Sequence, residues 1–215
     1  HKENRNMANQ DAPFGFRAVG GMGSSYETQG TSKYQIADNS TSPIYQGDLC
    51  MVGNSAGNAT DANSVAVAVG YISVAAVAED TLNFGVFNGC YYIDPTTSKP
   101  TWKNYYPGAV NITTGTIDAY CYDNPQQLYE VQSAGTLTQA SVFNLVDTAT
   151  YDAGTSRDGL SDEEISGSLV SSGATGQWRI LRLSEDPSNS DTGSANANWI
   201  VRLNESIYYN GAVLT

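Results

Sequence analysis

Ile117-Asp-Ala-Tyr-Cys-Tyr-Asp-Asn-Pro-Gln-Gln-Leu-Tyr-Glu-Val-Gln132 is the stretch that decides the fold. Apolar and polar residues alternate from Ile117 to Tyr122 and again from Leu128 to Gln132. That period of two belongs to strands with one face buried. Asp123-Asn-Pro125 lies between them, and Asp, Asn and Pro favour a reversal because they accept turn geometry and interrupt a ladder. The segment therefore reads as strand, turn, strand.

The same pattern runs outward in both directions. Upstream, strands are expected at Lys33–Ala37, Leu49–Val52, Val65–Val69, Ile72–Val77, Phe84–Phe87 and Gly89–Ile93. Asn88-Gly89 is either a tight hairpin turn or a bulge inside one longer strand. Downstream, Trp178–Leu183 and Asn198–Leu203 alternate, with Arg179, Arg182 and Arg202 at exposed or edge positions and a turn at Glu185–Asn189. Residues 139–147 carry Val142, Leu145 and Val146 at helical spacing and read as a short helix. Residues 148–176 are rich in Gly, Ser and Asp and read as a long loop with room for one strand. Short strands between frequent turn signals predict an all-β protein, a β-barrel or sandwich-like body.

The 215 residues allow one β domain, placed at 33–215, behind an extended arm at 1–32. The arm is polar and Gly-rich, with Phe14, Phe16 and Arg17 as its candidate partner-binding residues. Such a segment buries too little apolar surface to order itself and is expected to rest on a neighbour. The residues before Met7 read as an upstream extension or an ambiguity of the start site.

Apolar residues make up 40% of the chain and charged residues 15%, so a core is within reach while Ser, Thr, Asn, Gln and Gly supply the polar surface. The net charge of −12 disfavours nucleic acid and anionic lipid as partners. No stretch is long and apolar enough for a membrane helix, and no signal-peptide pattern is visible. Cys50, Cys90 and Cys121 fit no zinc or CxxC spacing and are expected as free thiols.

Catalytic chemistry finds little to work with. The one histidine is His1, which leaves no base for a serine or cysteine nucleophile. Asp118, Asp123 and Glu130 offer carboxylates for glycoside hydrolysis, but any β protein with 22 acids offers such pairs. Asp158-Gly-Leu-Ser-Asp-Glu-Glu164 lacks the calcium-loop spacing and reads as a solvated loop. The expectation is no enzyme, no metal and no cofactor. Four Asn-x-Ser/Thr matches, at Asn39, Asn58, Asn111 and Asn204, fit chance in so polar a chain. Of the 14 tyrosines, Tyr91, Tyr92, Tyr105, Tyr106, Tyr120, Tyr122 and Tyr129 cluster between residues 91 and 129, and the first four are candidates for a subunit interface, since tyrosine buries a large body and keeps a polar tip. Sheet packing and a carbohydrate platform are the other readings of that cluster.

Several segments, in their order, resemble a family of virion proteins of marine and cyanobacterial tailed phages. They are Met7-Ala-Asn-Gln-Asp-Ala-Pro-Phe-Gly-Phe16, Gly47-Asp48, Gly85-Val-Phe-Asn-Gly-Cys-Tyr-Tyr92, Tyr105-Tyr-Pro107, Tyr122–Gln132, Asp186-Pro-Ser-Asn189 and Asn204-Glu205. The resemblance spans Met7 to about Tyr209. It implies a capsid decoration, or cement, protein on the outer surface of the head, assembled in the host cytoplasm. Its partners would be the major capsid protein and two further copies of itself, as a homotrimer at local three-fold positions. The family has no catalytic or metal residues to carry over. The alternatives are another structural virion part, such as a tail or fibre component, or a secreted carbohydrate-binding β domain.

Overall fold

The computed structural model describes residues 9–23, 30–36, 40–52, 71–74, 83–112, 115–151, 154–186, 189, 191 and 193–208. Within them the chain is all-β. The strands are β1 Arg17–Gly21, β2 Ser32–Ile36, β3 Leu49–Val52, β4 Tyr71–Val74, β5 Asn83–Ile93, β6 Pro100–Lys103, β7 Ile117–Tyr122, β8 Gln127–Gln132, β9 Leu145–Val146, β10 Thr148–Thr150, β11 Glu164–Ile165, β12 Trp178–Leu183 and β13 Asn198–Leu203. The expected strand at Val65–Val69 lies outside the described residues.

One sheet curls back on itself. Its order is β3-β4-β2-β7-β5-β6, and β3 also pairs with β5, so β2, β4, β3, β5 and β7 form a ring from which β6 extends. Within the ring β2 and β4 run parallel and the other pairs antiparallel. Alternation explains its interior. Ile117, Ala119 and Cys121 of β7 are buried, as are Phe84, Phe87, Cys90 and Tyr92 of β5, with Ile36 and Cys50 beside them. Asp118, Tyr120 and Tyr122 point the other way.

β5 runs through Asn88-Gly89 without turning, and the register slips between Phe87 and Gly89. The bulge alternative is therefore the one realised. The extra residue lets β5 hold β3 with its first half, β6 with its second, and β7 between them. Gly85 is required at the crossing. A Cβ there would sit 2.1 Å from the Tyr122 carbonyl oxygen, closer than any side chain can approach.

The second sheet has the order β1-β8-β13-β12-β9 and is antiparallel throughout. Its inner face presents Tyr129, Val131, Trp178, Ile180, Trp199, Val201 and Leu203 to the outside of the ring, where Leu49 and Val86 join the same core. Neighbouring residues of β3 and β5 thus serve two cores, Leu49 and Val86 on one side, Cys50 and Phe87 on the other. Burying a side chain as large as Trp178 or Trp199 removes about 150–250 Å² from water, worth roughly 4–6 kcal/mol each.

Four sequence expectations need correction. Residues 139–147 are not a helix. Gln139–Ser141 makes one 3-10 turn, with Thr138 and Ser141 capping each other, and Leu145–Val146 is β9 on the edge of the second sheet. The apolar trio is used in a bent path, because Val146 enters the core as a strand residue.

Residues 148–176 are not one open loop. β10 and β11 pair, and Ile165 enters the second core. The acidic stretch at 158–164 is not simply solvated either. Glu163 is completely buried, and its Oε2 accepts the Leu49 N–H at 2.9 Å.

The arm is also revised. Arg17–Gly21 is a strand of the body, paired with β8, and Phe16 is buried in the second core with its ring stacked on Trp178 at 4.0 Å. Residues 9–12 are strapped down by amides. Gln132 Oε1 accepts the Ala12 N–H at 3.0 Å and its Nε2 donates to the Gln10 carbonyl at 3.0 Å, while Asn9 Nδ2 donates to the Asp191 carbonyl at 2.7 Å. Backbone groups that composition left without partners find them on the chain's own sheet.

Candidate functional site

The residues singled out in the sequence separate into two surfaces and an interior. Phe14 and Arg17 stand at the first surface. Arg17 lies with its guanidinium 4.5 Å above the Phe14 ring and pairs with Glu130 at 2.6 Å. The position is fixed from beneath. Gly47 adopts φ +101°, its carbonyl accepts the Phe16 N–H at 2.9 Å, and its own N–H donates to the Phe87 carbonyl at 2.9 Å. Asp48 Oδ2 accepts the Tyr45 N–H at 2.6 Å and closes that turn. A cleft of about 210 Å³ opens there between Phe14, Gln46, Asn88, Tyr122 and the half-exposed Leu160. Phe16 forms its floor from the interior and does not reach the surface. It anchors the strap to the body, and only Phe14 and Arg17 of the trio are available to a partner.

The four candidate interface tyrosines do not share a face. Tyr91 and Tyr92 are neighbours on β5, so they point to opposite sides, with Tyr91 outward and Tyr92 in the ring core. Tyr106 is fully buried; it pairs with Ile44 through both backbone groups and donates its hydroxyl to the Ser40 carbonyl at 3.0 Å. Tyr105 stacks on Tyr45 at 6.0 Å, under the Lys103 ammonium at 5.3 Å, and is backed by Gly159. Burial removes Tyr92 and Tyr106 from any surface, which leaves Tyr91 and the half-buried Tyr105 within reach of a partner.

Tyr91 has one companion from the same tyrosine cluster, Tyr120, and one that the sequence did not single out, Trp102. Trp102 faces it across the β5–β6 pair, and Trp102 and Tyr120 meet with ring centroids 5.2 Å apart at 52°. Trp102 is 53% exposed and Tyr91 37%. Register brings these rings together from three strands, which no local spacing reveals. The available signal is Gly89, a residue without a side chain inside a strand, which marks a bulge or a close approach.

The acids weighed for catalysis are each held separately. Asp118 pairs with Lys33 at 2.7 Å. Asp123 accepts the Tyr34 hydroxyl at 2.7 Å and the Ser32 hydroxyl at 2.9 Å. Glu130 takes Arg17 and the Ser184 hydroxyl. Burial raises the carboxyls of Asp162 and Glu164, and each is raised further by neighbouring acids. Among the described residues no group of three or more His, Cys, Asp or Glu side chains converges as metal ligands. The spacing G-x-S-x-G occurs once in the sequence, at Gly53-Asn-Ser-Ala-Gly57, outside the described residues, and the chain's one histidine is His1.

Burial pushes up the thiols of Cys50 and Cys90, Cys90 to about 12, and all three cysteines are buried and free of disulfides. Cys50 and Cys90 donate to the Asp48 and Tyr105 carbonyls. A thiol held neutral in a core is a packing residue, since the thiolate is the nucleophile. No protein-family model, no curated protein and no solved structure matches the chain.

Proposed function

We propose that the protein is a structural virion component, a capsid decoration or cement protein that binds the outside of a phage head shell and stabilises it as a trimer at local three-fold positions. What carries this reading is the ordered resemblance of segments from Met7 to about Tyr209. The structure supports it in one respect. The polar side chains tied to those segments are engaged in holding the body together, as Asp48, Asn189 and Gln132 illustrate. A protein whose polar chemistry is spent on rigidity suits a role carried by its surface. The Phe14–Arg17 cleft is the grip, an aromatic ring and a guanidinium above a preformed hollow, and such groups dominate the energy of many interfaces. The partners are the major capsid protein and two further copies of the chain.

The test is binding of the purified protein to undecorated head shells, with sedimentation of the free protein. The expected result is saturable binding by a trimer, weakened roughly tenfold or more in Phe14→Ala/Arg17→Ala. Absence of shell binding by the unaltered chain would overturn the reading.

A further inference from the structure

The outer face of β6, β5 and β7 carries an arrangement that shell binding does not use. Two rows cross it. Trp102, Tyr91, Asp118 and Gln35 stand opposite one another on β6, β5, β7 and β2. Beside them Gly89, Tyr120 and Lys33 form a second row on β5, β7 and β2. The Trp102 indole leans across the empty place at Gly89. A Cβ at that position would lie 2.6 Å from Trp102 Cζ2 and 3.1 Å from Cη2. The six-membered ring of the indole therefore lies close against β5 at Gly89, with Tyr120 tilted against it. Half the side chain remains open to solvent, although an indole is among the costliest groups to leave in water.

We propose that this face is a saccharide-binding platform for a neutral chain of pyranose rings with equatorial hydroxyls. Such a sugar presents a flat patch of C–H bonds that fits an aromatic face, and a rim of hydroxyls that both donate and accept. The platform supplies the matching rim. Lys33 Nζ and Asp118 Oδ2 pair at 2.7 Å, and Thr116 Oγ1 donates to Asp118 Oδ1 at 2.9 Å. The Lys33 and Asp118 charges cancel, so the face is locally neutral on a chain of net charge −12. That favours an uncharged ligand.

The small open aromatic area favours a small ligand over a second copy as occupant. The exposed fractions of Trp102 and Tyr91 amount to roughly 200 Å² of open ring, since each fully exposed side chain offers about 150–250 Å². A stable interface needs about 800 Å² from each partner. A flat, small platform with a polar rim suits one or two sugar rings better.

The probes are hydroxyethylcellulose in a native affinity gel and cellohexaose in a fluorescence titration. Trp178 and Trp199 are buried, so a spectral change on adding cellohexaose reports on Trp102. The expected result is retarded migration and a saturable shift, with Trp102→Ala and Tyr120→Ala each weakened roughly tenfold at unchanged melting temperature. Phe14→Ala and Arg17→Ala should bind the sugar normally, which separates this test from the shell-binding reading. No retardation and no shift with the unaltered protein would overturn the platform. Equal binding by Trp102→Ala would overturn its location. Loss of self-association in Trp102→Ala, without any response to sugar, would assign the face to a contact between copies.

Discussion

Phe14 and Phe16 are two residues apart and have different work. Phe16 stacks on Trp178 inside the second core, while Phe14 lies half-buried under Arg17. Phe16→Ala should cost about 3–5 kcal/mol in urea unfolding, the range for emptying an aromatic site in a core. Phe14→Ala should stay within about 1 kcal/mol, since little of the fold rests on it. Equal losses would contradict the assignment of one ring to the body and the other to the surface. A second residue-scale expectation concerns alkali. Burial holds Cys90 and Tyr151 up at about 12, from ordinary values near 9 and 10, and also raises Cys50 and Tyr129. Their folded values lie above the unfolded ones, so the neutral groups favour the fold fully below pH 9. That contribution is lost as pH rises through 9 toward 12. Melting temperatures should fall steadily from pH 8 to pH 11, and a flat profile would contradict the burial of these groups.

Among elements, β1 changes the expected outcome of truncation. An arm lying on a neighbour could be removed without harm to the body. A strand paired with β8, preceded by Phe16 in the core, cannot. Deleting residues 1–21 should lower the melting temperature by roughly 6–20 °C in a circular-dichroism melt, from a loss of about 3–5 kcal/mol at about 2–4 °C per kcal/mol. An unchanged melt would restore the arm as a detached element. β7, β12 and β13 were legible in the sequence to the residue, β7 because it alternates with one face on a core, β12 and β13 because their apolar residues lie between turn signals. β1 was not legible, since Gly20 and Gly21 hide the period and Phe16 lies outside the strand. β6 begins at Pro100, a residue that demotes any strand reading, and it is an edge strand where proline is tolerated. Of the candidate site, the trio Phe14, Phe16 and Arg17 was readable, but not that Phe16 turns into the core while Phe14 and Arg17 reach the surface. Tyr91 and Tyr120 were readable as members of one tyrosine cluster, but the place of Trp102 beside them was not, because it exists only after register is set.

At the scale of the whole molecule, the wall made by β3 and β5 joins two cores. Leu49 and Val86 face the second sheet while Cys50 and Phe87 face the ring interior. Neither core can open without exposing the other, so the body should unfold as one unit. The ring core holds the thiols Cys50, Cys90 and Cys121, and the second core holds Trp178 and Trp199. Thiol labelling and tryptophan fluorescence therefore report on different cores. Their denaturation midpoints should coincide, and separated midpoints would show two independent units.

The partnership of β1 with β8 also has a consequence in time. Arg17 and Glu130 are 113 residues apart. At the ~5–20 residues per second of synthesis, Phe16 leaves the ribosome roughly 6–20 s before the strand that will shelter it. Trp178, on which it stacks, is made later still. This earlier-made segment docks only after β8 and Trp178 exist, and until then an aromatic side chain meant for the interior travels uncovered. The chain's most vulnerable interval is its own translation, and a crowded, heavily expressing cell is where its losses to aggregation should concentrate.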